Sequence, residues 1–236
     1  MEKKQYTYED FLRIVETLRS ENGCPWDREQ THQSLRPCLM EEAAEVLAAI
    51  RIFDQTGNYE NLQEELGDVL LQVIMHAQIA KEEGIFTIED VIDEISEKMV
   101  RRHPHVFGDV TVEGSGQVLE NWEEIKKKEK ESRNTITSPL QEIPKELPAL
   151  TKAVKVSKKV DKLYKPMPDY LTSVKALQEA LNQLEKLAPD NENTAIAKEV
   201  GDILMSVSNI SRICKLSSEQ ILSDRIEDMI EQYEKV

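Results

Sequence analysis

Glu41, Glu42 and Glu45 form one acidic group, Glu64, Glu65 and Asp68 form a second, and both are set in apolar helix-forming sequence. On a helix, Glu42 and Glu45 share a face at i, i+3, as do Glu65 and Asp68, so two antiparallel helices would converge four carboxylates. Two unit charges 4 Å apart interact by about 4 kcal/mol at an effective dielectric near 20. That is a large fraction of a fold stability of about 5–15 kcal/mol. Such a quartet calls for a cation, and oxygen-only ligands favour Mg²⁺, with Mn²⁺ as the alternative.

A lone Glu-rich helix is ordinarily a solvated face. Two observations argue for a site instead. The second acidic group lies beside the apolar stripe of its helix, and a partly buried carboxylate must be paired or bind metal. Gly67 sits inside the same periodic segment, where it costs up to about 1 kcal/mol relative to Ala, so a ligand or a crossing helix is expected close to that backbone. A di-iron bundle also draws carboxylates from facing helices, but it needs a Glu-x-x-His pair on each of two helices. Only Glu29 and His32 have that spacing, and they fall outside both groups.

The elements that must position these residues are helical. Phe11, Leu12, Ile14, Val15 and Leu18 mark a first helix that stops near Asn22-Gly23, with Gly23 read as a C-cap and Pro25 as a breaker. A second helix runs through Leu39, Met40, Ala43, Val46, Leu47 and Ile50 to a turn over 54–58. The third covers about Leu62 to Glu82, with Leu66, Val69, Leu70, Val73, Ile74 and Ala77 expected on its buried side. Thr87-Ile88-Glu89-Asp90 reads as a capping box opening a fourth, which ends at Pro104. A Lys-rich helix follows from about Gln117 to Glu131, and Pro139, Pro144 and Pro148 then suggest a linker.

Composition agrees with an all-α chain. Over 236 residues, charged side chains make up 32% and aromatics 5%, and strand signals are scarce. The net charge of -15 argues against a nucleic-acid partner, which normally demands excess Lys and Arg. Cys24, Cys38 and Cys214 form no CxxC pair, which fits a reducing cytoplasm. No apolar leader is visible at the N-terminus, and the uncharged run from Val69 to Ala80 is too short to span a bilayer, so a soluble cytoplasmic protein with no membrane contact is expected.

Groups suited to a phosphorylated ligand lie downstream. Lys98, Arg101 and Arg102 close the fourth helix, where they would complement its dipole or reach phosphate oxygens. Trp26 and Trp122 are the only tryptophans, and either would suit a stacked base; Lys126 lies one turn beyond Trp122.

Taken in order, these stretches resemble the MazG family of nucleoside triphosphate pyrophosphohydrolases. The matching residues are Gly23-Cys24-Pro25-Trp26-Asp27 with Gln30-Thr31, the Glu41-Glu42-x-x-Glu45 and Glu65-x-x-Asp68 pair, Lys98-x-x-Arg101-Arg102-His103-Pro104-His105-Val106-Phe107, and Trp122 with Lys126 and Glu129-Lys130. The resemblance implies an all-α, four-helix-bundle-like homodimer. Its activity would be Mg²⁺-dependent hydrolysis of a nucleoside triphosphate between the α and β phosphates, giving the monophosphate and pyrophosphate. By matching motifs, Glu42, Glu45, Glu65 and Asp68 would ligate metal, and Glu41 and Glu64 would support them or orient water. Lys98, Arg101, Arg102 and Lys126 would hold phosphates, and Trp122, with Trp26, would serve the base. A narrower dUTP- or dCTP-specific pyrophosphatase of the same superfamily, or a non-catalytic helical dimer acting as a regulatory partner, are the competing readings.

The chain also reads as a tandem duplication: a catalytic module over 1–133, a Pro-containing linker over 134–148 and a degenerate module over 149–236. Lys198-Glu199-Val200-Gly201-Asp202 mirrors Glu64-Glu65-Leu66-Gly67-Asp68, but Gln178, Glu179 and Asn182 stand where the first copy has Glu41, Glu42 and Glu45. Asp228, Glu231 and Gln232 likewise replace Lys98, Arg101 and Arg102.

Overall fold

A computed structural model of the chain describes residues 5–132, 138–187 and 193–234, with side chains from 130 to 132 left aside. The described residues form eleven helices and no strand. They divide into two compact units, Met1–Ser132 and Arg133–Val236. Residues 133–137, where the expected linker begins, lie outside the described part. From 138 onward that segment packs into the second unit, where Ile143 is buried and Glu142 pairs with Lys159 at 3.1 Å.

The first unit holds α1 (Tyr8–Arg19), α2 (Pro25–Glu29), α3 (Arg36–Thr56), α4 (Glu60–Glu82), α5 (Ile88–Arg102), α6 (Pro104–Phe107) and α7 (Ser115–Ser132). The Thr87 capping box forms as expected: Thr87 Oγ1 accepts from Asp90 N, and Asp90 Oδ2 accepts from Thr87 N at 2.8 Å. Thr7 and Asp10 repeat the device at the start of α1. Gly57 ends α3 in the left-handed region at φ 74°, donating to Phe53 O at 2.8 Å, which a Cβ would disfavour. Gly23 is not the helix cap that the sequence suggests. Ser20 caps α1, and Gly23 is required because a Cβ there would collide with the carbonyls of Thr17 and Leu18.

α3 and α4 form a long helical hairpin, with α1 and α5 packed on α4. The core is Val15, Leu35, Ile74, Met75 and Ile79, bordered by Phe11, Leu12, Leu71 and Ile88. Arg19, almost wholly buried, locks α1 onto α4 by donating to Glu82 Oε2 at 2.7 Å, and it holds the turn after α2 through the carbonyls of Asp27 and Gln30. His32, just before α3, meets His76 of α4 with Nδ1 atoms 2.8 Å apart and rings stacked at 8°.

The expected buried side of α4 is only half covered. Ile74 and Ala77 are buried, but Leu66 is 52% exposed, and Leu70 and Val73 are also exposed. On α3, Leu39, Met40, Leu47 and Ile50 are exposed too. α4 is apolar around much of its circumference, and the core of the first unit sits at its C-terminal half, so the other end of the hairpin is uncovered among the described residues of that unit.

The second unit contains α8 (Ala149–Leu163), α9 (Tyr170–Leu184), α10 (Asn193–Ile213) and α11 (Ser218–Glu234), with α10 packed on the other three. Its interior is built from small and polar groups: Ser157, Ser173, Ser208, Asn209 and Ser211 are buried with Ala180. Asn209 Nδ2 donates to Ser173 Oγ at 2.8 Å and to Pro168 O at 3.0 Å, and Arg212 Nε donates to Asn209 Oδ1 at 2.9 Å. Buried polar groups are tolerated when bonded in this way.

Candidate active site

Pairing of α3 with α4 brings the two acidic groups together. Glu42, Glu45 and Glu65 each offer a carboxylate oxygen within 4.8 Å of the others. Asp68 is half-buried nearby. Burial first, and then the charges of Asp68, Glu45 and Glu65, lift the Glu42 carboxyl above its ordinary value of 4.5. Glu65 is held in place by Asn61 Nδ2, 2.7 Å from Oε1, a contact available because the two residues lie at i, i+4 on α4. Glu41 and Glu64, next to Glu42 and Glu65 in sequence, are exposed.

Oxygen ligands of six-coordinate magnesium stand about 2.1 Å from the ion, so opposite oxygens are about 4.2 Å apart. Three carboxylates within 4.8 Å, one of them destabilised as an anion, fit that requirement with small side-chain adjustments. Among the described residues this is the one grouping of His, Cys, Asp or Glu with that property. The close approach expected at Gly67 is not made among the described residues, because a Cβ there would meet none of their atoms within 4 Å.

A second cluster forms where α5 meets α7. Lys98 lies 3.6 Å from Glu94, and Lys126 lies 3.3 Å from Glu123. Arg101 Nε donates to Glu129 Oε1 at 2.7 Å, and Arg102 Nη2 donates to Glu129 Oε2 at 2.6 Å. The Arg102 guanidinium carbon stands 5.3 Å from the Trp122 ring centroid, and His103 meets the same ring edge-on at 4.9 Å. Trp26, by contrast, is 60% exposed on α2, and its carbonyl accepts from Gln30 Nε2 at 2.8 Å. The structure therefore gathers the named residues into an acidic group on α3 and α4 and a cationic, aromatic group on α5 and α7. α4 itself packs against α5.

The Glu-x-Gly-Asp stretch recurs in α10 of the second unit with a different charge pattern. Lys198 Nζ lies 2.9 Å from Glu199 Oε1 and 3.1 Å from Asp202 Oδ2, so one ammonium, itself largely exposed, offsets part of the charge of these two acids. At that position the first unit has Glu64.

Three contributions are not evident from the motifs alone. Asn61 carries one local signal, its i, i+4 spacing to Glu65. Glu129 stands in the family motif but carries no sign of its partners. The His32–His76 contact joins residues far apart in sequence, which no local pattern reveals.

Comparison with known proteins agrees with this geometry. Residues 30–107 match the MazG nucleotide pyrophosphohydrolase domain. The chain is 39% identical over its whole length to the nucleoside triphosphate pyrophosphohydrolase/pyrophosphatase MazG of Thermotoga maritima, covering 88% of that protein. It is 38% identical to the nucleoside triphosphate pyrophosphohydrolase of Escherichia coli, over 85% of this chain and 76% of the other. It is also 45% identical to the Bacillus subtilis protein YabN, over 92% of this chain, and spans 44% of YabN's length. With the acidic hairpin and the matching relatives in agreement, the chain belongs to the MazG nucleotide pyrophosphohydrolase family.

Proposed function

We propose that the first unit hydrolyses nucleoside 5′-triphosphates between the α and β phosphates, releasing the monophosphate and pyrophosphate, with Mg²⁺ as cofactor. The observation that carries this reading is the convergence of Glu42, Glu45 and Glu65, with Asp68 raising the electrostatic cost of the empty cluster. These four carboxylates would hold the cation. When bound, it would neutralise charge developing on the phosphoryl oxygens and acidify a water ligand. Glu41 and Glu64, exposed and adjacent in sequence to these ligands, would orient the attacking water. Lys98 and Lys126 supply positive charge toward the phosphates, and Trp122 offers a ring face for the base. An in-line attack by water requires no covalent nucleophile.

The repeated Glu-x-Gly-Asp element supports a tandem duplication in which the second copy has lost the chemistry. Lys198 supplies there part of the charge balance that a cation would supply in the first unit. We further propose a homodimer formed through the uncovered part of the α3–α4 hairpin, because exposed apolar side chains grouped on one element mark an interaction surface.

The test is pyrophosphate release from a panel of ribo- and deoxynucleoside triphosphates, with Mg²⁺, with Mn²⁺ and with EDTA. Metal-dependent release from several nucleotides is expected. Release from dUTP or dCTP alone would select the narrower activity, and no release from any of them would leave the regulatory dimer.

A further inference from the structure

Arg101 and Arg102 both spend hydrogen bonds on one carboxylate, Glu129. Arg102 uses two N–H groups on it, Nη2 at 2.6 Å from Oε2 and Nε at 3.2 Å from Oε2 and 3.4 Å from Oε1, and Arg101 adds Nε at 2.7 Å from Oε1. The Arg102 and Glu129 side chains are only 17% and 16% exposed. Hydrogen bonds from Arg102, and then from Arg101, hold the Glu129 carboxyl down at about 2, so it stays charged.

The pair matters because of what else holds α7. Over 115–129, no side chain of this helix is fully buried; Val118, Asn121, Trp122, Ile125, Lys126 and Glu129 form a half-buried stripe at helical spacing. With little apolar burial on this helix, the doubly bonded carboxylate is a strong anchor, since charge-assisted hydrogen bonds are about twice as strong as neutral ones. Trp122 lies on that stripe, with Arg102 over its ring and His103 against its edge. His103 is fixed in turn, because its Nδ1–H donates to Met99 O at 2.6 Å.

We infer that Glu129 is a positioning residue of this site. Its carboxylate docks α7 on the end of α5 through Arg101 and Arg102, setting Trp122 and Lys126 in place. The consequence for catalysis rests on the proposed nucleotide reading; the docking does not.

Two measurements test it. In a W26F background, where Trp122 is the only tryptophan, E129Q should shift emission to the red and raise acrylamide quenching about twofold, with helicity by circular dichroism retained. In the otherwise native chain, E129Q should raise KM about ten- to thirtyfold with a smaller change in kcat, as expected for loss of a charged anchor. R102K should fail to substitute for arginine, because an ammonium cannot reproduce the bidentate fork. The reversed pair R102E/E129R should recover at least half of the rise in Trp122 quenching seen in R102E, both in the W26F background. An E129Q enzyme with unchanged or lower KM, an unaltered Trp122 signal, or a reversed pair no better than R102E would overturn the inference. If the native chain releases no pyrophosphate from any nucleotide, the catalytic reading fails, while the Trp122 quenching still decides the docking.

Discussion

At the residue scale, Glu42 links charge, pH and metal. Burial and the neighbouring acids raise its carboxyl above 4.5, so the folded chain disfavours the anion relative to the unfolded chain. In the metal-free protein this group therefore withdraws stability as pH climbs from about 4.5 through its raised value. A cation favours the anion and reverses that loss. Millimolar Mg²⁺ is expected to raise the melting temperature, by an amount that grows as pH increases across this window. At a hundred times Kd, linkage gives about 2.7 kcal/mol. Melts in Mg²⁺ and in EDTA across that pH range check this, and superimposable curves at neutral pH would count against the metal site. The acidic cluster was legible in the sequence because i, i+3 spacing on two helices fixes shared faces. The Glu129 anchor was not, because its partners lie on another helix and a Glu in a Lys-rich helix looks like ordinary surface charge.

At the element scale, the α3–α4 hairpin carries both the acidic cluster and the uncovered apolar stripe. The sequence supplied the five long helices of the first unit, the Thr87 capping box and the Gly57 turn, because these depend on local geometry. It did not supply which part of each stripe is covered. Helical periodicity marks an apolar face but not the length over which a neighbour occupies it, so Leu66, Leu70 and Leu47 are exposed within the single chain. Nor does periodicity reveal the His32–His76 contact that holds the start of α3 against α4, because it joins residues remote in sequence. If the stripe is covered by a second copy, Leu47→Glu and Leu70→Glu should each weaken self-association by at least about tenfold, since a charge would be buried without a partner. Light scattering reads this directly. A native chain of 27.1 kDa in dilute solution, or variants that associate as before, would contradict the dimer.

At the scale of the whole molecule, the two units contrast in chemistry. The first packs an apolar core and gathers carboxylates on its α3–α4 hairpin, whereas the second has a Ser- and Asn-rich interior and sets Lys198 against Glu199 and Asp202. The repeat of Glu-x-Gly-Asp was legible because it is a contiguous motif; the polar interior of the second unit was not, since buried serines resemble surface serines in a sequence. The central claim is that catalysis belongs to the first unit alone. Pyrophosphate release by Glu42→Ala, Asp68→Ala and Glu199→Ala proteins, each checked for native helicity, tests it most directly. The account predicts a loss of at least about a thousandfold in turnover for the first two, roughly 4 kcal/mol of transition-state stabilisation, and near-native turnover for Glu199→Ala. An inactive Glu199→Ala protein beside an active Glu42→Ala protein would contradict it.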